Sequence, residues 1–286
     1  MAADRPNAEP KPDHADARIL LPIAALVVAA LGLLAGALWF ASASQDELAR
    51  QHEHQLVEQA IAGVRRQASL TVKDYAYWDD AVRHLVLDLD PAWADGNVGA
   101  YIHDTFGFEY SFVLDGADRT IYGQIDGARS DADAFVTLGT ALERLIAAAR
   151  AAPVAPDRAP EPATGLLTAG ADVVVAAVSP LLPQAGSDLK LPPGRRSVLV
   201  FVKRLGPDFL ERLASDFSLQ QVRIEAPSAR AFGAWIPLVS PAGQDLARLT
   251  WIPQQPGRKL LVWLTPALLA ALAVFLGFAG LALRNV

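Results

Sequence analysis

A chain of 286 residues that is 52% apolar, with a mean hydropathy of +0.24, is too apolar for an ordinary soluble domain. Its net charge of −6, with both signs interspersed, gives no basic surface of the kind that binds nucleic acid. The absence of cysteine excludes disulfides and thiolate metal sites and leaves the compartment open.

The leader, 1–18, is rich in Pro and Ala and mixes Arg5, Lys11 and Arg18 with four acids. Residues 19–41 ("ILLPIAALVVAALGLLAGALWFA") carry no charge and are long enough to cross roughly 30 Å of hydrocarbon as a helix. Residues 259–283 form a second such span, uncharged from Leu260 on, ahead of a short tail at 284–286. Pro22 and Pro266 fall near the starts of the spans, where a missing N–H costs little. The "ASA" at Ala41–Ala43 resembles a signal-peptide cleavage site, but the apolar run exceeds the roughly 7–15 residues of such peptides, which favours an uncleaved anchor. Two crossings put both ends on one side, and the basic leader places that side in the cytoplasm. The lipid bilayer is thus an expected partner, and 42–258 the expected exported region.

That region is large enough for one good-sized core. It opens with helix formers after Ser44, a candidate N-cap with Glu47 three residues on. A heptad stripe follows: Val57, Ile61, Val64, Ala68, Thr71, Tyr75, Trp78, Val82, Leu85. Its alternating spacing of four and three predicts a helix seam, roughly 100 Å long if continuous with the first span. Such a rod suits either a parallel homodimer or a packing strip along the chain's own domain. Asp90-Pro91 predicts a fresh helix, and Asn97 a cap on another that ends at Gly107. Tyr110–Gln124 reads as a hairpin around an Asp-Gly-Ala-Asp turn. A helix through 131–152, a Pro-rich loop to Gly165 and two strands around the loop Pro183–Gly194 come next. A helix from Pro207 and a last strand, "ARLTWIP", complete an α+β domain of helices and a mostly antiparallel sheet.

The stretch "DYAYWDD", 74–80, crowds three carboxylates and three aromatic rings into seven residues. Helical stepping from Trp78 puts Tyr75 and Val82 on the buried side and Asp74 at its border. Asp79 and Asp80 fall outward, within reach of Arg83 and His84 at i,i+4. A carboxylate beside a buried aromatic face needs a partner, either a structural one or the amine of a ligand. Asp74 is therefore the candidate anchor, Tyr77 and Trp78 the candidate wall, and Asp79 a member of the site or a support for the neighbouring loop. Trp93, Asn97 and Tyr101 are placed to close the same pocket, although packing and capping account for them equally. A carboxylate among rings suits a cationic or multiply hydroxylated small molecule. No phosphate loop, nucleophile elbow or HExxH helix is present, so no catalytic residue, metal or cofactor is expected.

The pattern Asp74-x-x-x-Trp78-Asp79, the hairpin "FVLDGADRTIYG", then "VLVFVKRLGPDFLERL" and "ARLTWIPQQPGRKLL" running into a span, resembles the fourth family of CHASE domains. The resemblance implies an extracytoplasmic, PAS/Cache-like sensor of a bacterial inner-membrane receptor, with a long N-terminal helix and flanking transmembrane helices. The outputs it implies are cyclic di-GMP enzymes of the GGDEF or EAL kind, or a histidine kinase. No such sequence follows Arg284-Asn285-Val286, so the output is expected to be absent from this chain. The competing expectation is a membrane-anchored dimerisation or interaction module that binds no small ligand.

Overall fold

The structure, a computed structural model, describes residues 14–155, 158–229 and 233–284. The leader up to 13 and the last two residues of the tail lie outside the described residues. The chain divides into two compact units, His52–Pro253 and the pair of flanking segments that end at Gln51 and begin at Gln254.

Helix α1 (His14–Ala76) begins in the flanking unit and ends in the central one. Ser44 therefore lies inside a helix and caps nothing, and Glu47 instead pairs with Arg50 at 2.7 Å. After Ala76 the helix breaks: Trp78 adopts extended angles (φ −148, ψ 129) before α2 (Asp79–Val82) and a π-helical turn (Arg83–Leu87). The heptad stripe is thus not one rod, because the last three of its members lie at or beyond this break. It does not form an outer seam either. Val57, Ala68, Val82 and Leu85 are fully or almost fully buried in the chain's own core, and Ile61 and Thr71 nearly so. The stripe is the packing strip of this domain.

Helices α3 (Pro91–Asn97) and α4 (Ala100–Phe106) follow, the first capped by Asp90, whose carboxylate accepts from Ala92 and Trp93 N–H. Asn97 ends α3 rather than capping α4, and its amide donates to Trp93 O at 2.8 Å. Strands β1 (Tyr110–Leu114), β2 (Thr120–Ile125) and β3 (Ala128–Arg129) lead to α5 (Ala134–Leu138) and α6 (Ala141–Ala151). The single helix expected here is split at Gly139 (φ 75). The Pro-rich loop gives way to β4 (Ala163–Ala169), paired with β5 (Asp172–Pro180) and then β6 (Val198–Arg204). Helix α7 (Pro207–Phe217) precedes β7 (Gln220–Glu225), β8 (Ala234–Val239) and β9 (Asp245–Ile252).

The larger sheet, in the order β3-β2-β1-β6-β5-β4, is antiparallel throughout. Its central strands are buried on both faces, so β1 and the first five residues of β6 are buried without interruption. One face, with Val113, Val175, Leu199 and Phe201, packs with α1, α3 and α4. The other, with Phe112, Val174, Val178 and Val200, receives Leu142, Leu145, Ile146 and Ala149 of α6. Those four α6 residues recur at i, i+3, i+4 and i+7, the spacing of one helix face. The smaller sheet, in the order β7-β9-β8, buries Ile236, Leu238, Leu249 and Trp251 in the same core as Val57 and Ile61.

In the flanking unit, α1 is accompanied by α8 (Pro256–Arg284). Both helices contain stretches long and apolar enough to cross a membrane. The first turn of a helix leaves its N–H groups without internal partners. In α8, Pro256 has no N–H to satisfy, and Lys259 N–H reaches Gln255 O at 3.1 Å. The other two are taken by α1: Asp46 Oδ1 accepts from Gly257 N–H at 2.7 Å and Oδ2 from Arg258 N–H at 3.2 Å. Gly257 makes this approach possible, since an added Cβ would lie 2.6 Å from the Ser42 carbonyl carbon.

Candidate functional site

The break after Ala76 is where the acidic aromatic stretch lies. The loop between β5 and β6 is tied to both sides of it: Leu182 N–H donates to Ala76 O at 3.0 Å, and Gln184 N–H to Asp79 Oδ1 at 2.8 Å. Asp79 therefore supports the neighbouring loop and does not pair with Arg83. Arg83 pairs with Asp80 at 2.8 Å, and His84 lies 3.6 Å from Asp90. These partners differ from the i,i+4 expectation because Asp79 begins a new helix, and that helix loosens into a π turn within one turn.

Around the break runs a chain of aromatic contacts. His84 stacks on Trp93, with centroids 4.9 Å apart and planes at 12°. Trp93 meets Trp78 at 5.2 Å, and Trp78 meets Tyr75 edge-on at 6.3 Å. Tyr75 then contacts Tyr101, Phe106 and Phe201. Three of the candidate residues, Trp78, Trp93 and Tyr101, are thus brought into one cluster. The hub is Tyr75, which the helical stepping placed on the buried stripe and outside the candidate site. Burial, then the hydroxyl of Tyr101, then the charge of Asp74 push the Tyr75 phenol up to about 12.

The other candidates are placed differently. Asp74 is exposed, not at the edge of a buried face, because the helix turns its carboxylate to water one residue before Tyr75. Tyr77 is half-buried at the break, and Asn97 is spent on its own helix.

Beside α3 lies a second constellation that sequence reasoning missed. Asp95 accepts from Tyr122 Oη at 2.9 Å and from Arg129 Nε at 3.0 Å, with a further bond to Arg129 Nη2. Arg129 Nη2 also donates to Pro91 O at 2.7 Å. The Arg129 guanidinium holds the Asp95 carboxyl below its ordinary range, against the opposing effect of burial. Burial and the neighbouring Asp95 push the Tyr122 phenol up. A cavity of about 290 Å³ opens beside this latch, lined by Pro91, Thr120, Tyr122, Arg129, Ser130 and Asp131 among others. No motif marks the latch, since Asp95 and Arg129 are 34 residues apart. Among the described residues, no three His, Cys, Asp or Glu side chains gather as a metal site.

The mixed helix-and-sheet domain is thus flanked in sequence by two helices long and apolar enough to cross a membrane. The chain belongs to the CHASE4 domain family, an extracytoplasmic sensor family, whose model matches residues 60–225, more than half of its length. Comparison with curated proteins gives no match.

Proposed function

We propose that this chain is the sensing region of a two-pass receptor of a bacterial inner membrane. Residues 42–258 are exported, both ends are cytoplasmic, and a small ligand is read at the helix break. The observation that carries this reading is the aromatic cluster at the point where α1 stops. A ligand seated against Trp78 and Trp93 alters the break, and α1 carries the change toward its apolar segment. The PAS/Cache-like assignment is consistent with the central antiparallel sheet, and the output is a cyclic di-GMP enzyme or histidine kinase of the kind the family implies.

Within this reading Asp74, being exposed, serves as a rim charge that attracts a cationic or hydroxylated ligand toward the rings, Tyr101 among them. The test is thermal unfolding of the full chain in lipid nanodiscs against a panel of small organic cations and polyols. A compound that raises Tm in the wild type should fail to do so in Asp74→Asn, whose ligand-free Tm is unchanged because the carboxylate is exposed. A panel without any such compound favours the ligand-free interaction module instead.

A further inference from the structure

A second cavity, of about 200 Å³, is lined in large part by the loop that bridges the break. Its apolar wall is Val86, Leu181, Leu191 and the Pro192-Pro193 pair. Arg195 and Arg196 line it as well. The volume is below the roughly 300 Å³ at which pockets for drug-sized ligands begin, so its occupant is small.

The charge around it is unbalanced. Asp115 is committed to Arg119, through Nε at 2.7 Å and Nη2 at 2.6 Å. Asp118 is shared between Arg150 at 2.6 Å and Arg195 at 2.8 Å. Of the two arginines and one aspartate that line the cavity, Asp115 and Arg195 are thus both paired. Among the described residues, no hydrogen bond or ion pair engages the Arg196 side chain; its backbone carbonyl accepts from Arg150 Nε at 2.8 Å. An apolar pocket with an uncommitted guanidinium suits a planar anionic group, which that side chain binds in bidentate fashion.

We propose that this cavity binds a small amphiphilic carboxylate, with Arg196 as its cationic partner and the Leu-Pro wall around its apolar body. The site goes beyond the aromatic reading and does not depend on it. It is placed to act on the same break, because Val86 belongs to the π-helical turn and Leu181 precedes the residue bonded to Ala76 O.

The probe is benzoate, with benzylamine and benzyl alcohol as isosteric controls, and the readout is Tm of the full chain in nanodiscs. At about ten times Kd, benzoate should raise Tm by roughly 3–6 °C in the wild type. Arg196→Lys, which keeps the charge but not the two-pronged geometry, should retain only part of that rise, and Arg196→Gln should lose it. Arg196→Gln is expected to fold, since the bond from Arg150 uses the backbone carbonyl. Pro192→Glu, at an exposed position, gives an independent variant that should repel the anion. Asp74→Asn should leave the benzoate response intact, which separates this site from the aromatic one. The proposal is overturned if benzoate leaves the wild-type Tm unchanged, if Arg196→Gln or Pro192→Glu responds as the wild type does, or if benzylamine or benzyl alcohol is as effective.

Discussion

Asp46→Ala should unfasten the first turn of α8. The carboxylate accepts from two N–H groups that have no partner inside their own helix, at 2.7 Å and 3.2 Å. Hydrogen bonds to a charged acceptor contribute about 1.5–3 kcal/mol each, and partial exposure of Asp46 brings the pair down to about 1–2 kcal/mol. With tenfold for each 1.4 kcal/mol, the amides of Gly257 and Arg258 should exchange about 5–30 times faster in the variant. Gly257→Ala reaches the same end by another route. Its Cβ would lie 2.6 Å and 2.7 Å from the Ser42 carbonyl carbon and Cα. One helix must therefore retreat by about 1 Å to restore ordinary contact. Hydrogen exchange of the full chain in nanodiscs reads both. Wild-type exchange at Gly257 and Arg258 in Asp46→Ala would refute the reasoning.

Other consequences concern the central unit. Asp79→Ala removes the acceptor of Gln184 N–H, so the loop at 183–194 should exchange and be cleaved faster while the rest of the domain is unchanged; limited proteolysis decides. Asp95→Asn should lower Tm by about a degree or two at pH 7, after screening of a pair that is more than a third exposed. Because the folded pKa of Asp95 lies below its unfolded value, its contribution is present above about pH 4 and is lost as pH falls through the folded value. The difference between variant and wild type should therefore close in acid, as pH-dependent melting would show. Ile61→Cys, at a nearly buried position, should react with maleimide far more slowly than Arg66→Cys at an exposed one. Equal rates would mean that the stripe is not packed on its own core.

The elements legible in the sequence are those whose signals are local. The two apolar helices, the hairpin around Asp115–Arg119 and the fresh start at Pro91 each follow from spacing, capping or turn residues. The strands that sequence reasoning missed lack such signals. Strand β4 follows a Pro-rich loop and carries Gly165, and β8 contains Pro237, which a central strand would exclude but an edge strand tolerates. The break at Trp78 was hidden because the heptad continues in register across it, and the bonds that Leu182 and Gln184 make to either side of it are tertiary, invisible to periodicity. The same break moved Asp79 and Asp80 off their expected partners. In the candidate site, the aromatic members were legible from their types, whereas the Asp95–Arg129 latch and the Arg196 cavity join residues distant in sequence.

A sensor domain held outside the membrane between two spans is the claim on which the functional reading stands. Alkaline phosphatase fused at Gly186, in an exposed turn, and after Val286 tests it most directly. The expected pattern is an active enzyme at Gly186 and an inactive one after Val286. Activity after Val286 with none at Gly186 would contradict it.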